Sequence, residues 1–153
     1  MHFLDLLPPQ ARQLPDVALA QLPRHYFYED NAAGLLAKAL AKDLGQASLL
    51  LICDANTRPA AGLACAEALR HARFHVQELI LPKNSQGRDP ICDDITLANL
   101  KQQTGSSPRF KAVVAVGAGV VNDLSKWLAA EHDLPYAVFA TGASMNGYTA
   151  ANV

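Results

Sequence analysis

The chain predicts an α/β fold, an open parallel sheet flanked by helices, and three observations predict it. Short apolar runs rich in Val, Ile and Leu recur along the chain. They alternate with segments of about 10–15 residues whose apolar positions follow helical spacing. Glycine and polar residues collect just after these runs, where strand carboxyl ends open into loops. Such alternation is the pattern of βαβ units, and ligands in such sheets gather at the carboxyl ends of the strands.

Residues 1–24 carry Pro8, Pro9, Pro15 and Pro23 and no clean period, which predicts an irregular leader. His25–Tyr28 is a short strand candidate. Glu29, Asp30 and Asn31 supply cap chemistry and early negative charge for a helix carrying Leu35, Leu36, Ala39 and Leu40. Leu44-Gly45 is its stop. Ser48–Cys53 is a continuous apolar run, as in a strand buried on both faces. Residues 54–59 form its exit loop, and Ala60–His71 is helical, with Leu63 and Leu69.

Phe74–Leu81 is the next strand, closed by Pro82 and the polar residues 83–89. Pro90–Gln103 is predicted helical, with Ile91, Ile95 and Ala98 on one face. Lys111–Val116 is a strand. Val120, Val121, Leu124, Trp127 and Leu128 mark a helical stripe. Pro135–Ala140 is the last strand, opening into Thr141-Gly-Ala-Ser-Met-Asn-Gly147.

Composition narrows the function. Half the residues are hydrophobic and 18% are charged, below the usual ~25%, so the 153-residue chain can bury a sizeable core. It also has room for an apolar face covered by a second domain or another copy of the chain. A net charge of -1 with no basic run leaves no electrostatic footprint for nucleic acid. No segment approaches the ~18 uninterrupted apolar residues of a membrane span. The N-terminus lacks the basic and long apolar regions of a signal peptide.

Cys53, Cys65 and Cys92 are odd in number and far apart. They offer no metal or redox spacing and no disulfide framework, so each is expected as a small core residue in a reducing cytoplasm. The histidines form no ligand set. His71 and His75 have i,i+4 spacing, but His75 is expected to start a strand. No metal ligand and no catalytic residue is assigned within the chain.

The chemistry concentrates in Val113-Val-Ala-Val-Gly117-Ala-Gly119-Val-Val-Asn-Asp123. A strand ending in Gly-x-Gly at a helix N-terminus exposes backbone N–H groups and lets a phosphate approach without meeting Cβ atoms. Gly117 and Gly119 flank Ala118 in that turn, Val120 and Val121 open the helix, and Asp123 on its first turn complements the helix N-terminus or contacts the ligand. Asn122 stands where a dinucleotide fingerprint has its third glycine. Read locally, the same residues serve a strand-to-helix turn that needed small side chains.

Asp54, at the end of an apolar strand, can accept hydrogen bonds from the hydroxyls of an adenosine ribose. It can equally make a local exit turn. Thr141 and Ser144 carry hydroxyls on a loop of small residues, suited to phosphate or nicotinamide amide contacts. That loop can also be a plain polar connector. The acid precedes the glycine turn instead of following it, which argues for a relative of the standard dinucleotide-binding order.

The segments Val116-Gly-Ala-Gly-Val-Val-Asn-Asp123 and Phe139-Ala-Thr-Gly-Ala-Ser-Met-Asn-Gly-Tyr148, with Asp54 at its strand end, resemble the iron-containing alcohol dehydrogenase and dehydroquinate synthase superfamily. The chain is most similar to the glycerol-1-phosphate dehydrogenase branch. The resemblance covers residues 25–153 and implies a Rossmann-like nucleotide-binding domain of the dehydroquinate synthase-like fold. It further implies NAD or NADP as cofactor, with Asp54 on the adenosine ribose, Gly117–Val121 on the pyrophosphate, and Thr141 and Ser144 at the nicotinamide side. The implied partner is a small polyol phosphate.

Asn146 falls where the family has a substrate-binding Asp, and Ala150 where a cofactor-binding Ser is usual. The family's divalent metal (zinc, nickel or iron) belongs to a helical domain that follows, expected to be absent from this chain. The chain alone is therefore expected to be inactive. Two other readings compete. One is a dehydroquinate synthase-like or non-catalytic nucleotide module. The other is a phospho-receiver domain, with Asp54 as acceptor and Glu29-Asp30 as its acidic pair.

Overall fold

The computed structural model describes residues 23–84, 86–105, 109–143 and 147–149. In chain order the elements are α1 (Ala32–Leu44), β1 (Ser48–Asp54), a π-helical turn (Arg58–Gly62), α2 (Leu63–His71), β2 (His75–Leu81), α3 (Asp94–Thr104), β3 (Ala112–Gly117), α4 (Val120–Glu131), β4 (Tyr136–Ala140) and a 3-10 turn (Gly147–Thr149). Among the described residues the sheet has four strands in the order β2-β1-β3-β4, all parallel.

The period of two along each strand divides the core into two layers. Leu50 and Ile52 of β1 and Val113 and Ala115 of β3 pack with Leu97 and Leu100 of α3 and Val121, Leu124 and Leu128 of α4. Leu49, Leu51 and Cys53 of β1 and Val114 and Val116 of β3 face the other way, against Leu36 and Ala37 of α1 and Cys65, Ala66 and Leu69 of α2. Central strands covered on both faces need an apolar residue at every position. Leu49 to Cys53 and Ala112 to Val116 meet that need, all fully buried.

The helix layers follow from the path of the chain. From β1 the chain steps outward to β2 through α2. It then crosses back over β1 to β3 through α3 and continues to β4 through α4. Crossovers of one hand place helices on opposite faces when the direction of travel reverses. The reversal lies between β1 and β3, and a crevice opens at the carboxyl ends of two strands whose connections diverge.

Four expectations are corrected. His25–Tyr28 pairs with no strand of the described sheet. Instead His25 reaches α1, where its Nε2 sits 3.0 Å from Asp43 Oδ2, and its ring stacks on Phe27. Second, residues 58–62 precede α2 as a π-helical turn, with Pro59 in its first turn.

Third, α3 begins at Asp94, not Pro90, because the Asp93 carboxylate caps it by accepting the Thr96 N–H at 2.7 Å. Its inward face is Leu97 and Leu100, while Ile91 and Ile95 are 63% and 68% exposed. Fourth, Cys92 is exposed, because it lies in the loop leading to that cap. Cys53 and Cys65 are buried. Burial pushes their thiols up to about 11 and about 12 respectively, leaving them protonated and unreactive.

Candidate functional site

The parallel registers bring the predicted residues to one level. Ile52 pairs with Ala115, so the register continued by two residues sets Asp54 beside Gly117. Gly117 in turn pairs with Ala140, the residue before Thr141. Neighbouring strands lie about 5 Å apart, so Asp54, Gly117 and Thr141 line three adjacent strand ends at the reversal point. The Thr141 N–H reaches Gly117 O at 3.4 Å, tying the last loop to the glycine turn.

At the turn the two glycines do different work. A Cβ on Gly117 would lie 2.5 Å from Val121 Cβ and 2.7 Å from its Cγ1. Gly117 is there so that the first turn of α4 can close onto the end of β3. Gly119 has φ +45°, a conformation side chains rarely adopt, and a Cβ there would meet no described atom within 4 Å. On that side of its Cα the described residues leave the backbone approachable, as close contact with a ligand requires. Ala118 O accepts from Val121 N–H at 3.2 Å and Gly119 O from Asp123 N–H at 2.9 Å, which fixes the turn as the start of α4. The helix dipole then places about half a positive charge at this end.

Asp54 makes the exit turn considered above. Its Oδ1 accepts the N–H groups of Asn56 at 2.8 Å and Thr57 at 2.7 Å, and its own N–H donates to Thr57 Oγ1 at 3.0 Å. No described residue donates to Oδ2. The turn therefore orients the carboxylate and leaves one oxygen for a ligand, so the structural and the binding roles coexist.

Asn122 and Asp123 form a polar pair at the base of the turn. Asn122 is fully buried, its Nδ2 donates to Asp123 Oδ1 at 2.7 Å, and its Oδ1 accepts the Tyr136 hydroxyl at 2.8 Å. Burial holds the Tyr136 phenol well above its usual range, with the Asp123 charge adding to the effect. In the dinucleotide fingerprint a third glycine lets helix and strand pack closely. Here an asparagine takes the position because β4 supplies it a partner.

Lys126 and Tyr148 were not singled out by the sequence. Lys126 Nζ donates to Gly147 O at 2.7 Å, and Tyr148 Oη donates to Gly142 O at 2.7 Å. Both act through backbone carbonyls, which carry no sequence signal. Ser144, Asn146 and Ala150 lie outside the described residues. Glu29 and Asp30, the acidic pair of the receiver reading, are exposed and follow coil instead of a strand.

Beside the β2 end of this edge lies a cavity of about 390 Å³, lined by Leu81, Lys83, Asp93 and Ile95 among others. A larger groove, about 690 Å³, runs between α1 and α2 over alanines and is lined by no residue of the glycine turn. Among the described residues no group of three or more His, Cys, Asp or Glu could hold a metal ion, and no helix is long and apolar enough to cross a membrane.

An open parallel sheet with a glycine turn, a strand-end carboxylate and a threonine at its reversal point defines the class of α/β domain whose ligands gather at the carboxyl ends of the strands. Comparison with known proteins gives the particular family. The profile described as iron-containing alcohol dehydrogenase matches residues 28–153, and the chain belongs to that family.

The chain is 32% identical over 103 residues to the glycerol-1-phosphate dehydrogenase [NAD(P)+] of Bacillus subtilis (strain 168), covering 67% of this chain and 25% of that protein. It is 28% identical over 119 residues to the glycerol-1-phosphate dehydrogenase [NAD(P)+] of Halalkalibacterium halodurans, covering 78% of this chain and 29% of that protein. The chain thus spans between a quarter and a third of the length of these relatives.

Among solved structures, glycerol dehydrogenase from Schizosaccharomyces pombe superposes with a TM-score of 0.61 at 19% identity, over 75% of this chain and 27% of that one. A 2-deoxy-scyllo-inosose synthase superposes with a TM-score of 0.54 at 18% identity, over 72% of this chain and 30% of that one. These two likenesses show the shared dehydroquinate synthase-like fold.

Proposed function

We propose that this chain is the NAD(P)-binding part of a dehydrogenase acting on a small polyol phosphate, with glycerol 1-phosphate the leading candidate. The observation that carries the reading is the alignment of Asp54, Gly117–Gly119 and Thr141 at adjacent strand ends in a chain of this family. The substrate class comes from the glycerol-1-phosphate dehydrogenase relatives.

The residues fit a dinucleotide. The free Oδ2 of Asp54 accepts a ribose hydroxyl. The cradle from Gly117 through Val121 takes the pyrophosphate, with the absence of a side chain at Gly119 letting its oxygens approach the backbone and the α4 dipole stabilising its charge. Asp123, held by Asn122, tempers that positive end. In this reading the Thr141 hydroxyl serves the nicotinamide side, a role Ser144 shares by its place in the sequence, and Asn146 accepts from or donates to a substrate hydroxyl without adding charge. When bound, the nicotinamide supplies the hydride acceptor or donor.

The described residues do not fit the family's metal, since no ligand cluster is present among them. No step of the reaction is assigned to it here. In this reading the chain binds, orients and shields the nucleotide, and moves no proton itself.

Titration with NAD, NADP and AMP by isothermal calorimetry tests the proposal. Saturable 1:1 binding of NAD or NADP supports it, and heats indistinguishable from dilution for all three ligands contradict it.

A further inference from the structure

We propose that Lys126 and Tyr148 are positioning residues that set the loop after β4 against the glycine turn, so that the nicotinamide half of the dinucleotide meets a fixed wall. The inference rests on the nucleotide-binding reading above and deepens it. Lys126 sits two helical turns beyond Gly119 on the helix that carries the glycine turn. Its ammonium is committed to Gly147 O at 2.7 Å, not to a carboxylate. Tyr148, the next residue, returns its hydroxyl to Gly142 O at 2.7 Å. The third tie is the Thr141 N–H on Gly117 O at 3.4 Å.

These three bonds join α4, the end of β3 and both described ends of the loop, Gly142 and Gly147, into one closed circuit. Each tie ends on a backbone carbonyl, so the ties fix the chain path and leave the Thr141 hydroxyl uncommitted. The half-buried setting of Lys126 and Tyr148 strengthens both bonds relative to water. A loop of small residues such as Thr141-Gly142-Ala143 has little packing of its own to hold its shape, so the restraint has to come from elsewhere.

The two ends of the dinucleotide separate this role from general stabilisation. Asp54 and the glycine turn, which take the adenosine and pyrophosphate, are not held by the circuit's side-chain bonds. The nicotinamide side is. The test compares NAD with ADP, which lacks the nicotinamide ribose, on the wild-type chain, Lys126→Met, Lys126→Arg and Tyr148→Phe, with thermal melting of each.

Wild type is expected to prefer NAD over ADP. Lys126→Met and Tyr148→Phe each lose about fivefold of that preference, the worth of one hydrogen bond, while their ADP affinity stays within about twofold of wild type. Lys126→Arg, which can still donate to Gly147 O, restores the preference. A wild type with no preference for NAD, or variants that weaken NAD and ADP equally or leave both unchanged, overturns the positioning role. Failure of the wild type to bind either ligand overturns the nucleotide reading itself, and the positioning role with it. A variant that melts as wild type yet loses only the NAD preference confirms that the effect is local.

Discussion

The hydroxyl of Tyr136 on β4 donates to Oδ1 of the fully buried Asn122 on α4 at 2.8 Å. A second contact, Asn122 Nδ2 to Asp123 Oδ1 at 2.7 Å, extends the pair to the surface of the glycine turn. A buried amide is costly unless its donors and acceptors are paired, and here each end of the side chain has a partner. Tyr136→Phe is expected to lower the unfolding free energy by about 1–2 kcal/mol in urea titration. A double mutant with Asn122→Ala should cost about 1 kcal/mol less than the two single changes added. Strict additivity would mean that the two side chains do not support each other.

The glycines of the turn predict different defects. Gly117→Ala drives a Cβ into Val121 Cβ at 2.5 Å, where a β-branched side chain and a helix start leave little room to yield. A loss of about 2 kcal/mol is expected from this overpacking, read as a lower denaturation midpoint with an unchanged slope. The Cβ of Gly119→Val meets no described atom within 4 Å, so the stability cost expected is backbone strain of about 1–2 kcal/mol. Its larger effect falls on nucleotide binding, expected to weaken by more than about tenfold because the side chain occupies the phosphate approach. If Gly119→Val bound NAD as the wild type does, the phosphates would not lie against this turn.

Glu78 gives a pH dependence. Its carboxylate, side chain 17% exposed, receives Arg70 Nη2 on Oε1 at 2.6 Å and Arg58 Nε on Oε2 at 3.1 Å. The Arg70 bond is the main cause holding its pKa below the usual carboxylate value, while partial burial pulls the other way. A folded pKa below the unfolded one means that the stabilisation is present above the unfolded value, about 4.3. It is lost as pH falls through the folded value. Glu78→Gln is therefore expected to cost about 1 kcal/mol at pH 7, discounted for the exposed arginines. The wild-type and Glu78→Gln stability curves should converge as the pH falls below about 4. A difference that persisted unchanged into that acid range would assign the effect to packing instead of charge.

Much of the fold is legible because the central strands are buried on both faces. Leu49 to Cys53 and Ala112 to Val116 have no polar position to confuse the reading. α3 is harder, since two stripes compete there. Ile91, Ile95 and Ala98 are as apolar and as well spaced as Leu97 and Leu100, and the inward face is decided by where Asp93 caps the helix. The Asp93-x-x-Thr96 spacing was the available signal.

His25–Tyr28 carries strand-forming aromatics, yet strand identity depends on a neighbour that a local window does not contain. At the site, Asp54 and the glycines are legible because a turn and a close approach restrict residue type. Lys126 and Tyr148 are not, because each bonds a carbonyl that any residue could present.

The chain by itself is expected to turn over no substrate. No metal-ligand cluster exists among its described residues, and the chain spans only 25–29% of its dehydrogenase relatives. Incubation with zinc, nickel or iron, NADH or NADPH, and dihydroxyacetone phosphate should leave the absorbance of the reduced cofactor at background. Turnover above background would place a working reaction centre inside this chain.

The central claim is that one dinucleotide lies across the ends of β1, β3 and β4, and backbone amide NMR during NAD titration tests it most directly. The account predicts saturable shifts in three places at once: Asp54 with Thr57, Gly117 through Val121, and Thr141. All should titrate with a single dissociation constant. Saturable shifts confined to the groove between α1 and α2, or no shifts at Gly117 through Val121, would contradict it.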